Sequence, residues 1–88
     1  MYVLSVVTQK GGSGKSTLAI GLAVAAMENG ERVAFLDADP QGTISKWKER
    51  RGNPYPRVDR IVDPADIKRA LSQLAAEGIW LAIIDTAD

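Results

Sequence analysis

Residues 10–17 read Lys-Gly-Gly-Ser-Gly-Lys-Ser-Thr and stand between a β-branched run, residues 3–7, and an apolar run that opens near Leu18. No other stretch limits the possible folds so strongly. Glycines let a backbone turn tightly enough to aim successive N–H groups at one point, and a helix starting directly afterwards adds the positive end of its dipole. Such a nest selects a polyphosphate, and strand-loop-helix is the context that gives the motif its meaning. Gly11, Gly12, Ser13 and Gly14 supply the cradle, Lys15 is placed to reach the β- and γ-phosphates, and the Ser16 hydroxyl can ligate Mg²⁺. A merely structural role for Lys15 and Ser16 is the weaker reading, since a buried apolar helix does not otherwise want a triple-glycine lead-in.

The rest of the chain alternates strands with helices. Val3, Leu4, Val6 and Val7 form a nearly continuous apolar run, the pattern of a strand covered on both faces of a parallel sheet. Residues 16–28 are apolar almost all round, with Asn29-Gly30 as the stop, so this helix is expected to be buried. A second strand spans 32–36 and ends at Asp37-Ala38-Asp39-Pro40-Gln41-Gly42. Thr43 is placed to cap a short helix carrying Ile44 and Trp47 inward, and residues 52–56 are loop by composition. A weak third strand spans 58–62. Asp63-Pro64-Ala65-Asp66 then supplies a cap, a proline at the first helical position and an acid in the first turn, and Ile67, Leu71 and Leu74 share one face up to Gly78. The last strand covers 79–84 and ends in Asp85-Thr86-Ala87-Asp88.

This order predicts an α/β fold, a P-loop NTPase-like parallel sheet flanked by helices, with the glycine loop and both acidic clusters gathered at one sheet edge. One carboxylate with one hydroxyl is a sufficient protein share for Mg²⁺, which keeps waters and phosphate oxygens. Asp85 is the natural acid for that ion, direct or through water, and Asp39 remains for activating a water. Local chemistry leaves alternatives open. Asp37 and Asp39 suit a turn or a helix cap before Pro40, and Asp85 suits a strand-end cap. Trp47 and Trp80 read as packing residues before base-stacking platforms. Lys46, Lys48, Arg50 and Arg51 read as a solvated helix face, with contact to a phosphate or a partner as the alternative.

Composition excludes several classes. The chain has 88 residues, 45% hydrophobic and 25% charged, with 11 basic and 11 acidic side chains, so no global field marks a nucleic-acid or membrane partner. Without cysteine there is no disulfide, cysteine-held zinc or iron-sulfur cluster within these residues. The start carries no basic signal-peptide region, and the most apolar stretch is shorter than the ~20 residues of a spanning helix. A cytoplasmic protein without membrane attachment is expected.

The loop also departs from G-x-x-x-x-G-K-[ST]. Gln9 takes the place of the first glycine, and Lys10 follows it. That resembles the deviant P-loop of the ParA and MinD ATPases. The likeness continues through Leu36-Asp37-Ala38-Asp39-Pro40-Gln41-Gly42, similar to the family's second motif, and Ile83-Ile84-Asp85-Thr86, similar to its Walker B strand. Asp39-Pro40-Gln41 inclines toward the ParA partition branch. The resemblance implies that Lys10 is the signature lysine, reaching the partner's nucleotide across an ATP-sandwich dimer. It implies that Lys15 and Ser16 hold phosphate and Mg²⁺, that Thr17 sits by the α-phosphate, and that Asp39 helps orient the attacking water. Asp85 becomes the magnesium-linked acid and Asp37 a neighbouring acid, a possible second layer around the metal.

The implied protein is an Mg-ATP-dependent dimerisation switch for plasmid or chromosome partitioning, with ATP and Mg²⁺ as cofactors, an ATP-dependent homodimer and a ParB-like stimulator as partners. A metabolic ATP-dependent enzyme on the same scaffold, or an inactive truncated fragment, is the alternative. Members of the family are longer than this chain, so residues 1–88 are expected to be the N-terminal half of a ParA-like nucleotide-binding domain. The missing half would carry the surface for non-specific DNA, and ATP turnover by this part alone is expected to be weak or absent.

Overall fold

The structure is a computed structural model that describes residues 1–8 and 14–87. Four parallel strands form one sheet: β1 (Tyr2–Thr8), β2 (Val33–Asp37), β3 (Arg57–Arg60) and β4 (Leu81–Ala87), in the spatial order β1-β4-β2-β3. Three helices make the crossovers: α1 (Gly14–Glu28), α2 (Thr43–Arg51) and α3 (Ile67–Ala76). The chain runs outward from β1 through β2 to β3, then turns back to insert β4 between β1 and β2. Right-handed crossovers require the return helix to lie on the other face. Accordingly α1 and α2 pack on one side and α3 on the opposite side.

Each face has its own core. Ala19 and Ala23 let α1 approach Val33, Phe35, Leu81 and Ile83 closely, and Ile44 of α2 completes that layer. The Phe35 ring meets Trp47 edge-on at 6.1 Å between centroids, so Trp47 packs inward as its spacing predicts. On the other face Leu74, supported by Ile67, Ala70 and Leu71, closes over Ala34, Leu36, Ala82 and Ile84. The α3 stripe is therefore the one its sequence spacing predicts.

Two expectations of burial are corrected. The α1 helix is not enclosed: Leu18 is 75% and Leu22 45% exposed, because the described neighbours of α1, the sheet and α2, leave its outer side uncovered. Likewise β1 is an edge strand covered on one face. Leu4 and Val6 face α1, whereas Val3 and Val7 are 49% and 53% exposed on the opposite face. The cause is topological, since α3 spans β2 and β4 and stops short of β1. A continuous apolar run cannot distinguish a central strand from an edge strand whose neighbour is elsewhere.

Element ends differ in several places, with β2 at 33–37 where 32–36 is expected and α1 starting at Gly14 where residue 16 is expected. The third strand is 57–60, one residue earlier at its start than expected and ending at Arg60. The last strand runs to Ala87, so Asp85 lies inside the ladder opposite Val6 and Asp37, not beyond its end. Asp63 does cap as predicted, accepting from the Ala65 amide at 3.0 Å, but Pro64–Asp66 is a 3-10 turn before α3 begins. Of the basic residues of α2, Lys46 and Arg50 are exposed as a solvated face would have them, whereas Lys48 and Arg51 are tied back. Lys48 Nζ donates to the Pro54 and Pro56 carbonyls, and Arg51 Nε donates to the Tyr55 carbonyl while its guanidinium lies over Trp47. They hold the proline-rich loop 53–56 against the helix.

Candidate functional site

The carboxyl ends of β2 and β4 place two acids side by side. Asp37 is paired in register with Asp85, and both are 0% exposed. Alternation along the strands turns both toward the α1 and α2 face, continuing the rows Val33, Phe35 and Leu81, Ile83. Two buried carboxylates in neighbouring positions need compensating charge. Each has one cation.

For Asp85 the cation is Lys15, from the first turn of α1. Lys15 Nζ donates to Asp85 Oδ1 and, at 3.4 Å, to the Thr86 carbonyl, and its side chain is 13% exposed. Asp85 Oδ2 is buried and has no hydrogen-bond partner among the described residues. Burial pushes the Asp85 carboxyl above the usual carboxylate range; the Lys15 hydrogen bond and charge oppose this, and the charges of Asp37 and Asp39 add to it. A carboxyl that holds its proton to higher pH in the folded chain contributes stability that is complete below its unfolded pKa of ~3.9 and lost as pH rises through the raised value. Relative to Asp85→Asn, the wild-type chain is therefore expected to lose stability in urea titrations over the window that opens as pH rises above about 4. A gain over that window would reverse the assignment.

Asp37 is held differently. Its Oδ1 accepts from the Asp39 amide at 3.3 Å, and Oδ2 accepts from the Ser45 amide at 3.0 Å, the Ser45 hydroxyl at 2.6 Å and Arg60 Nη1 at 3.3 Å. The cap of α2 is thus Asp37, not Thr43. Gly42 occupies the N-cap position without a side chain to offer, and the negative charge that the helix start favours comes from the strand behind it.

The loop between them is tight. Asp39, 4% exposed, accepts the Gln41 amide at 2.9 Å through Oδ1 and the Gly42 amide at 2.9 Å through its carbonyl. Gly42 has φ 64°, a left-handed conformation, and a Cβ there would stand 2.6 Å from Arg60 Nη1. The positive φ is what favours glycine here, whereas the Arg60 guanidinium, the far end of a flexible side chain, could move aside for a Cβ. Arg60 also donates to the Asp39 carbonyl at 3.0 Å. Neither Arg60 nor Ser45 was marked by the sequence, because only the β2–β3 register, which sets Asp37 level with Arg60, brings the arginine to this edge.

Of the predicted site residues, Gly14, Lys15, Ser16 and Thr17 fall in the first turn of α1, Ser16 half-buried and Thr17 exposed. Lys15, Asp37, Asp39 and Asp85 share one sheet edge. Lys10, Gly11, Gly12 and Ser13 lie outside the described residues. Among the described residues no group of three or more acids gathers as a metal cage. What is present is the sparser set that magnesium takes when phosphate supplies the rest: a hydroxyl-bearing helix start, and a buried carboxylate with one oxygen unpartnered. The donors fit that ion. A cleft of about 660 Å³ opens at the opposite sheet edge, lined by residues such as Met27, Arg32 and Tyr55, and none of the predicted site residues lines it.

A parallel α/β sheet with a lysine-bearing helix start against a strand-end acid defines a nucleotide-binding domain of the P-loop class. Residues 4–84 match the CobQ/CobB/MinD/ParA nucleotide binding domain, and the chain belongs to that family. It is 56% identical over 45 residues to the chromosome partitioning protein ParA of Caulobacter vibrioides, covering 51% of this chain and 17% of that protein. It is 54% identical over 48 residues to the maintenance of carboxysome distribution protein A of Gloeobacter kilaueensis, covering 54% of this chain and 22% of that protein. Protein virC1 of Rhizobium rhizogenes is 43% identical over 91 residues, covering 98% of this chain and 39% of that protein. The chain thus matches well under half the length of these relatives. No helix among the described residues is long and apolar enough to cross a membrane.

Proposed function

We propose that the chain carries the Mg-ATP site of a ParA-type ATPase, a switch in which ATP joins two subunits and hydrolysis releases them, serving plasmid or chromosome partitioning. The observation that carries this reading is the contact between Lys15 and Asp85, with Asp85 Oδ2 unpartnered among the described residues, beside the start of α1. Lys15 exchanges Asp85 for the β- and γ-phosphates on binding, and the dipole of α1 supports the same charge. Ser16 and Asp85 hold Mg²⁺, which neutralises phosphate charge when bound. Asp39 orients the attacking water, Asp37 keeps the loop of Asp39 in place, and Thr17 lies by the α-phosphate.

Gly11, Gly12, Ser13 and Gly14 form the cradle, and Lys10 reaches the nucleotide of a second copy. A ParB-like stimulator, non-specific DNA and a cytoplasmic setting belong to the same proposal, since relatives in this family include a chromosome partitioning protein. Isothermal titration of the 88-residue chain with Mg-ATP, with ATP in excess EDTA as control, tests the site. Light scattering with and without Mg-ATP tests the dimer. Binding that needs Mg²⁺ and doubles the mass supports the switch; heat without any mass change leaves a nucleotide site and removes the switch, and no heat removes both.

A further inference from the structure

Arg60 is the one described residue of β3 whose side chain reaches the edge carrying Asp37 and Asp39. A single nitrogen, Nη1, donates to Asp37 Oδ2 at 3.3 Å and to the Asp39 carbonyl at 3.0 Å, and the guanidinium lies over the glycine that closes the loop. From this geometry we infer that Arg60 is a positioning residue for Asp39. The inference rests on the role proposed above for Asp39 and adds a residue to it.

Three physical points support the assignment. First, Asp37 is fully buried beside Asp85, and Arg60 is the cation paired with it, as Lys15 is with Asp85. Second, the bond to the Asp39 carbonyl acts on the main chain of the residue whose carboxylate must point correctly, so it limits rotation of the loop and not only its charge. Third, the side chain is 45% exposed, so the guanidinium bridges solvent and a buried acid and is not a core strut. Truncating it frees the loop without opening the sheet. Lysine in its place offers one compact donor group without the planar fork and restores the contact in part.

The test uses the 88-residue chain as wild type, Arg60→Ala and Arg60→Lys. Amide hydrogen exchange by NMR reads the loop directly at Gln41 and Gly42, whose N–H groups bond to Asp39. Arg60→Ala is expected to speed exchange at these two amides about tenfold or more, with β4 amides such as Ile83 unchanged and Arg60→Lys intermediate. In Mg-ATP turnover, read under excess of the chain so that the weak activity expected of this part is detected, kcat is expected to fall about tenfold or more with Mg-ATP affinity within about twofold, because the loop and not phosphate binding is disturbed. Unchanged exchange at Gln41 and Gly42 overturns the inference. So does acceleration of all amides together, which would make Arg60 a general stabiliser, or loosened loop amides with unaltered kcat. If the wild-type chain takes up no Mg-ATP, the site reading fails, while the exchange pattern still decides whether Arg60 fixes the loop.

Discussion

Lys15→Ala is expected to abolish Mg-ATP binding, with affinity falling at least about a hundredfold, and to destabilise the nucleotide-free chain by about 2–3 kcal/mol. The two effects have one source. Lys15 is the cation proposed to meet the phosphates and is also the partner of a fully buried carboxylate. Removing it leaves Asp85 charged and fully buried without its paired cation, or forces it to take up a proton. Urea unfolding of Lys15→Ala beside Lys15→Ala/Asp85→Asn separates the contributions: the second change is expected to restore most of the lost stability and none of the binding. A double variant no more stable than the single one would mean that the ion pair does not govern the fold at this edge. Retained binding in Lys15→Ala would remove the phosphate role.

Phe35→Ala is the largest expected stability effect, about 3–5 kcal/mol. The ring is fully buried between α1, α2 and the sheet and stacks edge-on with Trp47, so its loss leaves a cavity where both helices meet β2. At about 0.05–0.15 kcal/mol per residue, a chain of this length holds little reserve against that cost. Near-ultraviolet circular dichroism should show the Trp47 environment lost at room temperature. Val3→Ala is the contrast. It removes an apolar side chain of the same sheet from the uncovered face of β1, 49% exposed, and should cost under about 0.5 kcal/mol. Comparable losses at both positions would contradict the one-sided covering of β1.

Much of this arrangement can be read along the chain, and the unread part has a common cause. Glycine spacing, the Asp63-Pro64 start and the Ile67, Leu71, Leu74 stripe are local patterns, and the structure places helices where they predict. The gathering of Lys15, Asp37 and Asp85 follows from strand alternation with helices, because parallel strands all end at one edge. Coverage could not be read. Whether Val3, Val7, Leu18 and Leu22 are enclosed depends on which elements lie beyond them, and the residues themselves carry no record of that. Partnership across the sheet was equally hidden. Arg60 and Ser45 are separated from Asp37 by 23 and 8 positions, and their roles exist only through the β2–β3 register and the angle at which α2 leaves Gly42.

The attachment of α2 to Asp37 makes the fold its own optical gauge. Ser45 is clasped by that acid, Trp47 follows on the same helix against Phe35, and Arg51 lies over the indole while gripping the loop 53–56. Any rearrangement at the acidic edge that tilts the helix is therefore translated into a new polarity around the Trp47 ring. Trp80 packs edge-on against Tyr2 just before β4 begins, outside the contacts that join Asp37, Ser45, Trp47 and Arg51, and serves as a built-in reference. The molecule carries both a signal and a baseline with no dye attached.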